Sequence, residues 1–202
     1  MRKLFLLLTL PLLVLCCDSQ AQDPSGQPVA GCDGQLYPDL ATSLYVLPFA
    51  VGASFETGLT NCSSSFHAAG QPDQYASDFN MPVGTPFVAA RAGTVFLVVE
   101  NASSSGGDVG NYVVIDHGDG TYGLYYHAPQ NGISVSVGDQ VSQGDVLGQT
   151  GQSGYAGYPH LHFTVVKGSP QYPYDAIPVS FRNASPAHVS LKGNTRYKAL
   201  AY

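Results

Sequence analysis

The sequence predicts an all-β domain of short antiparallel strands arranged in a sandwich- or barrel-like sheet. Three observations predict it. Between residues 75 and 166, successive short runs are rich in Val, Phe, Tyr and Thr, the side chains that suit a pleated surface. Gly, Pro, Asn and Asp punctuate these runs at close intervals. No apolar pattern of helical period is sustained beyond the first 21 residues.

The chain opens with Met1-Arg2-Lys3 and an apolar stretch over 4–15, broken only by Thr9 and Pro11. A charged start and a short apolar centre are those of a secretory signal peptide, and the stretch is too short for a comfortable membrane span. Ser19 and Ala21 are small residues at the two positions a signal peptidase reads, so a signal peptide over 1–21 is expected, with cleavage after Ala21. Cys16 and Cys17 raise lipid attachment as an alternative. Leu15 and Cys16, the residues before them, are larger than a lipoprotein signal takes. The mature chain is therefore expected to be exported, periplasmic or extracellular, with no transmembrane span.

Residues 22–44 carry Pro24, Gly26, Pro28, Gly31, Gly34 and Pro38 without a sustained period and read as a linker or arm. The folded domain is expected over 45–182. Residues 45–66 alternate short apolar pieces with Gly52, Gly58 and Asn61, as irregular strands leading into a loop do. Strands are then predicted at 75–79, 86–90, 93–100, 111–117 and 122–127, the last two joined as a hairpin by Gly118-Asp119-Gly120. Shorter strands follow at 133–137, 140–142 and 146–149, then a longer one at 158–166 and a final one at 177–181. Residues 183–202 read as a peripheral polar tail.

With 202 residues, of which 44% are hydrophobic and 11% charged, the chain can bury a core as one domain plus a leader. Its formal charge is −6, and loss of Arg2, Lys3 and Asp18 with the leader brings it near −7. The remaining Lys and Arg residues are scattered from Arg91 to Lys198. That balance speaks against a nucleic-acid or anionic-membrane partner, and a monomer is the expected state. Cys32 and Cys62 are the only cysteines left in the mature chain. An oxidising destination permits a disulfide between them and disfavours the competing reading, a catalytic thiol.

The chemistry converges on the 158–166 strand, Tyr158-Pro-His160-Leu-His162-Phe. Alternation along a strand puts His160 and His162 on one face, with Cα atoms ~7 Å apart. One imidazole can then coordinate a metal while the other reaches a bound water. A pair of half-buried strand histidines bonded to neighbours would carry the same pattern. A catalytic zinc takes three protein ligands from His, Asp and Glu and keeps an open position. The candidates are His67, Asp78, His117, His127, His160, His162 and His188. Asp78 shares a strand face with Ala76 and Asn80, where a carboxylate needs a partner or water. His67 ends a Ser/Phe run across a loop containing Gly70 and Pro72.

Five stretches carry a resemblance. They are the run from Tyr75-Ala-Ser-Asp78-Phe to Val95, Asn111 to Thr121, Tyr126-His127, Val137 to Gly144, and Gly157-Tyr-Pro-His160-Leu-His162-Phe163. In order and spacing, residues 45–167 resemble the lysostaphin-type zinc metalloendopeptidases of peptidase family M23, peptidoglycan hydrolases of the duplicated hybrid motif fold. The resemblance implies a β-sheet groove, one Zn²⁺ per chain and a peptidoglycan peptide as substrate. It makes Asp78 and His162 zinc ligands and puts His127 and His160 beside the attacking water as base and transition-state stabiliser. The common family pattern has a histidine four residues before the aspartate, where this chain has Gln74. A branch of the family draws it from farther back, which Ser65-Phe66-His67 resembles, so His67 is assigned as the first ligand. His117 is then structural and His188 a surface residue.

Three other readings fit parts of the sequence. Relatives of this fold that have lost ligands bind the wall or activate other wall hydrolases, which Gln74 favours and intact Asp78, His127, His160 and His162 oppose. Residues 135–148 are similar to domains that carry biotin or lipoate, but no lysine lies between Arg91 and Lys167 to hold one. Gly151-Gln-Ser-Gly154 lacks the glycine spacing of a serine hydrolase elbow.

Overall fold

The computed structural model describes residues 21–103, 106 and 109–202. Apart from Ala21, the expected signal peptide lies outside these residues, as do Cys16 and Cys17. Among the described residues no helix is long and apolar enough to cross a membrane.

The architecture is all-β and antiparallel, as expected. The strands are β1 Ser54–Thr57, β2 Ser77–Asn80, β3 Pro86–Val88, β4 Gly93–Val99, β5 Asn111–Asp116, β6 Thr121–Ala128, β7 Gln140–Val141, β8 Val146–Gln149, β9 Leu161–Lys167, β10 Asp175–Ala176, β11 Ala184–Ser185 and β12 Arg196–Ala199. The main sheet runs β11-β12-β1-β2-β9-β6-β5-β4-β7, with β10 also on β9, and β3 pairs with β8 apart from it. Short 3-10 turns sit at Leu40–Thr42 and Ser65–His67. The Gly118-Asp119-Gly120 turn joins β5 to β6 as a hairpin, with Asp116 opposite Tyr122.

β9 has β2 on one side and β6 on the other, so Asp78, His162 and Tyr126 stand level across three strands. Residues directly opposite share a face. On the reverse face Phe79, Leu161, Phe163 and Tyr125 enter the main core with Phe87, Phe181 and Tyr197. On the Asp78 face, farther along the strands, Leu124, Val114 and Val166 form a smaller core that Tyr75, Tyr174, Ala21 and Tyr37 cover. The histidine-bearing end of that face opens into a groove of about 470 Å³.

Three expectations are corrected. Residues 183–202 are not peripheral: β12 lies between β11 and β1, and Tyr197 is fully buried. The reason is a short alternation, with Tyr197 and Ala199 inward and Arg196 and Lys198 outward. Residues 133–137 make only a single bridge, Ile133 to Gly148, before the Gly138 turn. Residues 177–181 likewise form no strand; Phe181 makes a lone parallel bridge to Tyr45.

The residues read as an arm fold back in two tight antiparallel bridges, Gln22 to Pro28 and Ala30 to Leu36. Cys32 is bonded to Cys62, as expected. Beside this bond Asp33 accepts hydrogen bonds from the Tyr75 hydroxyl and from Gln74 Nε2 at 3.0 Å. The arm is thus fastened to the loop that precedes β2. Replacing both cysteines by alanine is expected to lower stability by about 3 to 4 kcal/mol, the chain-entropy value for a loop of this length. The midpoint of urea unfolding, with the slope unchanged, checks it.

Candidate functional site

The sheet register alone brings Asp78 and His162 together. His162 Nδ1 lies 3.0 Å from Asp78 Oδ1. His67, on the 3-10 turn, is almost wholly buried and brings its Nε2 to 3.4 Å from the same oxygen. One donor atom from each of these three residues lies within 4.8 Å of the others. Gln74 is turned away from them: its side chain donates to Asp33 and accepts from the Gly70 amide at 2.7 Å.

His160 precedes β9 and its Nε2 approaches Asp78 Oδ1 to 3.7 Å. His127 arrives by a different device. Simple alternation would turn it to the face opposite Tyr126, but the β5–β6 register shifts between Asn111 and Tyr112, and His127 takes a φ of 75°. An extra residue in one strand re-aims its side chain, and a non-glycine residue in this left-handed region is held there by its surroundings. The result places the His127 ring 4.6 Å from His160 and 5.9 Å from His162, centroid to centroid.

The tautomers follow from the partners. His67 Nδ1 lies 3.2 Å from the Ala76 carbonyl, His127 Nδ1 2.8 Å from that of Ser153, and His160 Nδ1 2.8 Å from that of Tyr158. A carbonyl oxygen only accepts, so Nδ1 carries the proton in each, and Nε2 presents its lone pair to the site. The Ser153 carbonyl reaches His127 because Gly154, at φ 73°, lies against residues 109–110, where a Cβ would stand 2.6 Å from backbone atoms. His162 is held the other way round. Its Nε2 lies 3.2 Å from Asp73 Oδ1, an oxygen that also accepts from the Tyr174 hydroxyl, and Nδ1 faces Asp78.

Electrostatics match this layout. Burial works against ionisation of Asp78, but the His162 and His67 rings beside it outweigh it and hold its carboxyl far below the usual range. Burial also opposes a charge on His162, yet Asp73 and Asp78 together push its pKa up to about 10. His127 is pushed down to about 3, first by burial and then by His162 and His160. His160 is likewise lowered, chiefly by burial. One buried carboxylate, Asp78, and one part-buried, Asp73, therefore converge on imidazoles, with no Lys or Arg among the described residues lining the groove. A divalent cation fits that donor set, which offers nitrogen and oxygen atoms and surplus negative charge.

His117 and His188 lie elsewhere: Nδ1 of the first is 3.0 Å from the Ala92 carbonyl and that of the second 2.7 Å from the Tyr197 hydroxyl. Asp73 and Tyr174 join the site without a sequence signal, because each follows a proline in a loop, where no periodicity assigns a face. Phe66, Tyr155, Tyr158 and Tyr172 stand exposed around the groove.

Comparison with known proteins agrees with this geometry. The profile of peptidase family M23 matches residues 73–173. Peptidoglycan DD-endopeptidase ShyA of Vibrio cholerae is 37% identical over 95 residues, which are 46% of this chain and 20% of that protein. Lysostaphin of Staphylococcus staphylolyticus is 38% identical over 90 residues, 44% of this chain and 18% of that protein. Among solved structures, a mutant catalytic domain of the prophage-encoded M23 protein EnpA from Enterococcus faecalis superposes with a TM-score of 0.51 at 25% identity, covering 64% of this chain and 94% of that one. The match spans about a fifth of the length of these curated relatives.

The fold and the buried His–Asp–His group define a metallopeptidase-type hydrolase domain. The chain belongs to peptidase family M23.

Proposed function

We propose that this chain is an exported zinc metalloendopeptidase that hydrolyses peptide bonds in peptidoglycan cross-links or stem peptides. The observation that carries the reading is the meeting of His67, Asp78 and His162 around one point at the end of an aromatic-rimmed groove. Family membership and the similarity to a peptidoglycan DD-endopeptidase support the substrate class.

His67 Nε2, Asp78 Oδ1 and His162 Nδ1 would hold one zinc ion. When bound, zinc supplies Lewis acidity, lowering the pKa of water from about 16 to about 7 and polarising the peptide carbonyl. The remaining work falls to side chains. His127 and His160 are held neutral, each with a free Nε2 lone pair toward the groove. A neutral imidazole there can take the proton of the attacking water and return it to the leaving amine. Phe66, Tyr155, Tyr158 and Tyr172 would flank an extended peptide and exclude water from it.

His67 lies outside the span matched by the family, so it is the ligand to test first. Elemental analysis of the purified mature protein is expected to give about one zinc per chain in the wild type and a large loss in His67→Ala. No zinc in either protein after reconstitution would overturn the reading in favour of a wall-binding or activating relative of the fold.

A further inference from the structure

We propose that Asp73 is the positioning residue of the metal centre, a charged acceptor that fixes the ring of His162 and turns its Nδ1 toward the ion. The inference rests on the reading of His162 as a ligand.

The four site histidines are not held alike. Three are held by backbone carbonyls at Nδ1 and present Nε2. His162 instead turns Nδ1 toward Asp78 at 3.0 Å, and its Nε2 is met by a second carboxylate, Asp73, at 3.2 Å. An ionised carboxylate only accepts, so each of these contacts holds a proton on the ring in the metal-free protein; a metal beside Asp78 would displace the one on Nδ1, and Asp73 would keep the one on Nε2. A negative acceptor also makes the ring a stronger donor than a carbonyl does. Asp73 stands at the edge of the ring away from Asp78, so it serves the ion through His162 and not as a fourth ligand.

Asp73 is itself held in place. The Tyr174 hydroxyl donates to the same Oδ1, and Tyr174 follows β9, while Asp73 belongs to the loop before β2. That loop also carries His67. A single segment, fastened at one end by the Cys32–Cys62 bond and near the other by Asp33 on Gln74 and Tyr75, thus delivers one ligand and orients another. Asp73 is mostly buried, with 16% of its side chain exposed. Burying a carboxylate is costly unless it is paired, and here its partners are the ring it orients and the tyrosine that steadies it.

The test measures zinc affinity by competition with a chromophoric chelator for the wild type, Asp73→Ala, Asp73→Asn and Tyr174→Phe, together with the melting temperature of each metal-free protein. Asp73→Ala is expected to weaken zinc binding by about 10- to 100-fold, the usual loss for an outer-shell partner. Asp73→Asn keeps an acceptor oxygen and should recover part of that loss, and Tyr174→Phe should fall between Asn and wild type. Zinc binding by Asp73→Ala equal to that of a wild type that itself binds zinc overturns the proposal and leaves the peptidase reading standing. So does a loss in Asp73→Ala that Asn does not relieve and that only follows a fall in the metal-free melting temperature. A wild type that binds no zinc overturns the peptidase reading, and this inference with it.

Discussion

His162→Ala is expected to lose both metal and activity. Its ring supplies one of three donor atoms, and the other two, on His67 and Asp78, converge on the space its Nδ1 faces. Two ligands of a three-residue set leave an ion open to water on two sides, so affinity should fall by more than the ~100-fold upper range for an outer-shell partner. The variant also takes a partner from Asp73 and Asp78, which both bond to the His162 ring, Asp78 from a buried and Asp73 from a part-buried position. Removing one partner of a buried charged pair costs about 3–5 kcal/mol. The metal-free variant should therefore melt lower, on the order of 10 °C for a chain of this size. Elemental analysis, hydrolysis of a peptidoglycan peptide and a thermal melt check the three effects separately. Hydrolysis retained in His162→Ala would overturn the metal assignment.

His127→Ala and His160→Ala are each expected to reduce hydrolysis by about 10²- to 10⁴-fold, the usual range for a positioned acid or base, while zinc content stays near that of the wild type. The basis is placement. Neither Nε2 completes the buried three-atom group, yet the two rings stand 4.6 Å apart at its edge. His160 has the closer link to Asp78, at 3.7 Å, so its replacement should disturb zinc slightly more than that of His127. A variant that keeps wild-type hydrolysis would remove that residue from the mechanism; one that loses zinc as fully as His162→Ala would move it among the ligands.

The strands were legible where alternation is long. β4, β5, β6 and β9 announce themselves by β-branched and aromatic runs, and the pairing of Asp78 with His162 follows from ordinary antiparallel register. The placement of His67 is not legible by spacing, because a loop of irregular backbone separates it from Asp78; only the family resemblance suggested it. His127 is harder still. Period-two reasoning sends it to the wrong face, and the bulge that corrects it has no composition of its own. Asp73 and Tyr174 lie in loops where no period applies. The alternation over 196–199 was readable but too short to stand out from a polar segment, although it buries Tyr197.

The carbonyl locks on His127 and His160 restrict how protons can travel. A histidine with both nitrogens free can pick up a proton on one side and release it on the other, acting as a wire to bulk water. Here the second nitrogen of each ring is committed to the backbone at 2.8 Å, to Ser153 in one case and Tyr158 in the other. In a hydrolysis run by these rings, a hydron accepted at Nε2 has one exit, the side it entered from. If these rings run the hydrolysis, the groove would be a cul-de-sac for protons, and the one taken from the nucleophile would reach the departing amine without passing through the protein.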